Sequence, residues 1–106
     1  MENLDKYLQA IRDDYTRWMV QSPTDTRIRM TEEFQKSVGV DVGSKYLRVF
    51  AGANQRSVHS FICLKDNGKF KKGDILKAAG WKAPAKNFAR GNILEGNFNN
   101  VRWTGA

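Results

Sequence analysis

At 106 residues, with 41% hydrophobic and 27% charged side chains, the chain has the size and composition of one compact domain. No stretch approaches ~18 consecutive apolar residues, so no transmembrane helix is expected, and the acidic, amphipathic start MENLDKYLQAIRDD does not read as a secretory signal. The formal net charge of +7 is uneven: residues 1–43 carry a net −2, and residues 44–106, where Glu95, Asp66 and Asp74 are the only carboxylates, carry a net +9.

That polarity creates a field able to steer an anionic partner to one side of the molecule. The plainer alternative is that the lysines keep a small domain soluble. Cys63 is the only cysteine, which excludes an internal disulfide and fits a reducing cytoplasm. Three Trp and six Phe supply the apolar area for a core.

In chain order, residues 3–20 read as a helix. Leu4, Leu8, Ile11, Tyr15 and Trp18 form one apolar stripe at helical spacing, with Tyr7 and Met19 beside it, and Asn3 is the expected side-chain cap. The stripe covers a sheet or makes a dimer seam. Two heptads are short for an independent coiled coil, which favours the sheet. A second helix follows to about Lys36, with Ser22 as N-cap, Pro23 as first helical residue, Asp25 as capping-box acid, and Ile28, Met30 and Phe34 as its apolar residues. Its pattern is weaker, and part of Glu33–Val38 could already be extended.

From Val38 the period changes to two. Val38, Val40 and Val42 alternate with Gly39, Asp41 and Gly43, and a turn at Val42–Ser44 leads into Lys45–Ala51. There Leu47, Val49 and Ala51 face one way, and Tyr46, Arg48 and Phe50 the other. The latter set is either a base-stacking platform or a face buried under a helix; two available helices favour burial. After a turn at Gly52–Gln55, Arg56–Leu64 places Val58, Ile62 and Leu64 opposite His59, Phe61 and Cys63. These short alternating runs joined by Gly/Asn-rich turns are the pattern of an antiparallel meander. Asp66–Asn67–Gly68 reads as a hairpin tip, followed by a basic return through Lys77. Trp81–Lys86, with Pro84, reads as a loop pinned into the core by Trp81. Ile93–Leu94 and Val101–Trp103 are candidate edge strands.

The segment VGVDVGSK, Val38–Lys45, resembles the first phosphate loop of the actin-like and sugar-kinase ATPases. The match is short, that fold needs two domains and a second phosphate loop, and the residues suit an ordinary hairpin, so no nucleotide hydrolysis is expected. His59 and Cys63, four positions apart on one strand, are separated by ~13 Å. They cannot form a catalytic dyad or share a metal ion. Cys63 reads as a small buried apolar residue and His59 as partly buried and hydrogen-bonded. No nucleophile motif, cofactor motif or metal-ligand cluster is present, so a non-enzyme is expected.

The densest chemistry lies in Lys65–Arg90. Lys65, Lys69, Lys71, Lys72, Lys77, Lys82, Lys86 and Arg90 face only Asp66 and Asp74, with Phe70 and Phe88 among them. Cations neutralise phosphates and aromatic faces stack on bases, a mixture suited to DNA or RNA, single strands above all. The same surface would dock on an acidic protein.

The second half resembles a family of small, mostly uncharacterised bacteriophage proteins. The resemblance is carried by Ser57–Ile62, by FKKGDILKAAGWKAPAKNFARGNI from Phe70 to Ile93, and by Trp103–Thr104–Gly105. It implies a viral protein made in the cytoplasm of an infected bacterium, and brings no activity, cofactor or catalytic residue with it. The expected architecture is a single α+β domain over residues 1–106. Residues 1–36 form two helices, packed on the antiparallel sheet and basic loops of residues 37–106. The expected function is a non-catalytic phage module binding nucleic acid or an acidic host protein, with no membrane role. The alternative is a structural or accessory phage protein that forms a homodimer or larger oligomer through its N-terminal helix.

Overall fold

The computed structural model describes residues 1–21, 24–52 and 56–106. Two helices, α1 (Leu4–Met19) and α2 (Asp25–Ser37), precede four strands: β1 (Gly39–Val42), β2 (Tyr46–Ala51), β3 (Ser57–Cys63) and β4 (Ile75–Lys77). The strands form one antiparallel sheet in the order β1-β2-β3-β4, so the α+β class follows directly.

The apolar stripe of α1 faces the sheet. Tyr7, Ile11 and Tyr15 are buried against Leu47, Val49, Ala51, Ile62 and Ile75, with Phe34 of α2 completing the layer. Tyr15 and Phe34 stack 4.0 Å apart, and the Trp103 ring meets both edge-on. Trp18 departs from the expectation. It is 60% exposed, while its neighbour Met19 in the last turn packs against the core.

Two caps also differ from the sequence reading. Asn3 adopts the left-handed conformation, which its short polar side chain tolerates, and makes no capping bond; its Nδ2 instead donates to the carbonyls of Ile93 and Leu94. Thr24 caps α2, its hydroxyl accepting from the Arg27 amide, a contact worth about 1 kcal/mol. Ser22 and Pro23 lie outside the described residues. The helix runs unbroken to Ser37 rather than becoming extended after Glu33. Arg12 of α1 donates to the carbonyls of Gln35 and Val38, satisfying acceptors that the end of α2 leaves open. Ile28 is exposed, so only Phe34 of the apolar residues expected in α2 is fully buried.

A bulge decides which way β3 faces. Val49 pairs with Ser60 but Phe50 pairs with Val58, leaving His59 as the extra residue. Alternation therefore reverses at that point. His59 and Ser60 both reach the Tyr7 side, and Val58 joins Phe61 and Cys63 on the outer face. This corrects the expected grouping of Val58 with Ile62 and of His59 with Phe61. The outer face is covered, but not by a helix. Phe61, Cys63, Phe70 and Leu76 form a second apolar cluster, flanked by Tyr46, Val58, Ala78 and Ala89.

The turn at Asn67–Gly68 forms as the dipeptide suggests. Gly68 has φ 62°, and Asn67 and Phe70 exchange backbone hydrogen bonds. The turn expected at Gly52–Gln55 falls largely outside the described residues. Ile93–Leu94 and Val101–Trp103 form no strands, only isolated bridges nearby. Ile93 is instead a fully buried plug, tied by its amide to the Gly73 carbonyl. Gly73, at φ 90°, lies so close to Asn92 Oδ1 and Leu94 Cγ that a Cβ would come within 2.8 Å of both. The open edge of β4 is occupied by the chain after Pro84: Ala85 donates to Lys77, Arg90 donates to Ile75, and Ile75 donates to Gly91.

Candidate nucleic-acid interface

Loop geometry fixes the basic stretch. Asp66 accepts the Lys72 amide at 2.9 Å, and Asp74, buried, accepts the Lys71 amide at 2.9 Å and the Asn92 side-chain amide at 2.9 Å. The two local carboxylates therefore hold backbone and Asn92, not lysine ammonium groups. Lys65, Lys69, Lys71, Lys72, Lys77, Lys82 and Lys86 are all exposed. Among the described residues, the ion pairs are Arg17–Asp14 and Arg48–Asp41, and neither uses one of these lysines. Lys69 Nζ donates to the Asn87 carbonyl at 2.6 Å, joining the turn after β3 to the loop that carries Lys86 and Phe88.

The aromatic residues divide. Phe88 is 56% exposed, with the half-buried Arg90 guanidinium 4.0 Å from its ring centroid. Phe70 is 6% exposed and belongs to the outer-face cluster, so it cannot contact a partner. The reason is the Asn67–Gly68 turn, which folds Phe70 back toward Phe61. Trp81 reverses its expected role. It is 48% exposed, and its contact is Arg48, whose guanidinium lies 5.5 Å from the indole and 5.9 Å from Phe61. Pro84, buried and bridged to Ala78, anchors the loop in place of the indole.

Two of the basic residues line different hollows. Lys82 joins Asp41, Gly43, Ser44, Lys45, Tyr46 and Arg48 around an open cavity of about 390 Å³ on the outer face. Lys77 instead borders a hollow with His59, Arg102 and Ala106, near the C-terminal segment. Lys45, Arg48 and Trp81 are surface features that the local run of lysines does not reveal. Alternation along β2 marks Arg48 as outward-facing, but its pairing with Trp81 depends on a contact between segments far apart in sequence.

Beneath Lys77 lies a buried polar chain. Tyr7 Oη is 2.6 Å from Ser60 Oγ, His59 Nδ1 is 2.9 Å from the same oxygen, and His59 Nε2 is 2.6 Å from the Arg102 carbonyl. A carbonyl only accepts, so Nε2 carries the proton. In the neutral ring Nδ1 then accepts from Ser60, and Ser60 accepts from Tyr7. Burial lowers the His59 pKa, opposed by its bond to Arg102, and burial raises that of Tyr7 well above the ordinary phenol range. Burial, assisted by Asp74, pushes the Cys63 thiol up to about 11, as fits a packed and unreactive side chain. Among the described residues, no three His, Cys, Asp or Glu side chains converge in the manner of a metal site, and no helix is long and apolar enough to cross a membrane.

Fold and surface together define a small α+β protein whose four-stranded meander is covered by helices on one face and by loops on the other. The chain belongs to a family of unknown function, DUF7717, whose model matches residues 1–106. No curated protein and no solved structure matches it.

Proposed function

We propose that the protein is a non-catalytic module that binds single-stranded nucleic acid, made by a bacteriophage inside its host. One observation carries this proposal: exposed lysines without carboxylate partners flank two exposed aromatic rings, Trp81 and Phe88, each beside an arginine. Phosphates would meet the lysines, and unstacked bases the rings; a duplex offers only the phosphates. The phage origin is supported by the resemblance carried by Phe70–Ile93. The accessory alternative has less to build on, since the α1 stripe is used in the core and Trp18 is its one exposed member.

The test is binding of mixed-sequence single- and double-stranded DNA and RNA at low salt. Tighter binding to single strands is expected, with Trp fluorescence quenched on complex formation. If no nucleic acid binds at low salt, the proposal fails and the basic surface passes to an acidic host protein or to solubility.

A further inference from the structure

We propose that the outer-face cavity beside the β1–β2 turn is a subsite for one nucleoside phosphate, either the end unit of a bound strand or a free nucleotide. This deepens the nucleic-acid reading above and rests on it. The cavity, about 390 Å³, lies within the ~300–1,000 Å³ range typical of small-molecule sites. Three parts of the chain build it: the β1–β2 hairpin supplies Asp41 to Tyr46 and Arg48, β3 supplies Phe61, and the loop after β4 supplies Lys82.

Its charge is unbalanced. Lys45, Arg48 and Lys82 face a single carboxylate, Asp41, and the Arg48–Asp41 contact is 3.6 Å, beyond hydrogen-bond reach. Arg48 Nε is buried without a protein acceptor among the described residues. An anion is the ligand that such a lining favours. Flat surfaces accompany the charges. The Arg48 guanidinium lies 5.9 Å from the Phe61 ring centroid and 5.5 Å from that of Trp81, and Tyr46 and Phe61 line the cavity. Tyr46 Oη accepts from Asn67 Nδ2 at 3.1 Å, leaving its own proton free to donate.

A bare anion would use only the cations, and an uncharged base only the rings. A nucleoside phosphate uses both, with phosphate toward Lys45 and Lys82 and base toward Tyr46. Side chains would do the recognising, because the Gly43 amide is already committed to the Tyr46 carbonyl at 2.9 Å. The geometry is therefore not that of an amide-lined phosphate loop, although VGVDVGSK supplies one wall.

The test is titration of the isotope-labelled full chain, read from backbone-amide and indole NMR shifts. The probes are deoxynucleoside monophosphates, the matching nucleosides, inorganic phosphate, and short single strands with and without a terminal phosphate. Saturable shifts at Gly43–Arg48 and the Trp81 indole are expected with the monophosphates, with nucleosides and inorganic phosphate at least ~10-fold weaker. Lys45→Gln and Lys82→Gln, both at exposed positions, should each weaken monophosphate binding by ~5–10-fold, and Lys6→Gln, at an exposed position of α1 outside the cavity and the basic stretch, should leave it unchanged. Tighter binding of the terminally phosphorylated strand assigns strand-end recognition, and shifts with monophosphate alone assign a free nucleotide. Strand binding that moves residues 65–90 but leaves 43–48 still overturns the subsite and leaves the broader reading standing. If neither strands nor monophosphates shift any amide, both fail.

Discussion

Trp81 and Phe70 exchange the roles that their sequence surroundings suggest. An indole followed closely by a proline amid alanines looks like a core anchor, and a phenylalanine between lysines looks like a contact residue. In the fold Phe70 is buried beside Phe61 and Leu76, whereas Trp81 lies half in solvent against Arg48. Opposite outcomes follow for truncation. Phe70→Ala should cost about 3–5 kcal/mol, as other buried aromatic truncations do. Trp81→Ala should cost no more than about 1 kcal/mol, the scale of an exposed cation–π contact, while weakening strand binding. Urea denaturation of the two variants beside a binding titration checks both. A large loss of stability in Trp81→Ala would restore the anchor role.

The C-terminal segment behaves as an element, although it has no regular secondary structure. Trp103 packs on Tyr15 and Phe34, its amide donates to Asp14 Oδ2 at 2.9 Å, and the Arg102 carbonyl receives the His59 ring. The segment thus links α1, α2 and β3. Because the folded state lowers the His59 pKa, the unfolded chain takes up a proton first as pH falls below about 6.5. Stability contributed by neutral His59 is complete above that pH and is lost as pH falls through the depressed folded value. The expected result is a melting midpoint that begins to decline as pH falls below about 6.5. His59→Gln should be less stable overall and show a flatter pH dependence there. An equally steep decline in the variant would assign the effect to other groups.

Across the whole molecule, the basic half lines more than one hollow with its cations. Lys82 lies with the β1–β2 cavity, and Lys77 with the C-terminal hollow. A strand that follows the surface would meet only part of the set. With about five phosphate contacts, log affinity should fall against log salt with a slope near −3.5, from ~0.7 per contact on a single strand. Replacing Lys71 and Lys72 by Glu should flatten the slope to about −2 and weaken binding to all sequences alike, since phosphate contacts carry no base information. Their exposed side chains contribute little to stability, so the fold should persist. A salt titration of wild type and double variant measures this. An unchanged slope would place the contacts elsewhere.

The sequence by itself determined the two helices, the first three strands and the class of fold. The stripe of α1, the change of period at Val38 and the Asn67–Gly68 turn are local signals, written in spacings of two to four residues, and each forms as a propensity argument predicts. The lysines of Lys65–Arg90 were legible as exposed for a similar reason, because few carboxylates stand near them and lysine is rarely buried unpaired. Tertiary structure alone decided the rest. A one-residue bulge at His59 moves side chains between faces, and no local pattern announces it. The chain after Pro84 takes the hydrogen bonds of β4 that candidate edge strands would otherwise supply. Arg48 meets Trp81, and Lys45 and Lys82 line one cavity, only because the fold brings together residues more than thirty positions apart. Contacts of that range depend on how the loops close over the sheet, and closure is decided by the packing of the whole chain, not by any one segment of it.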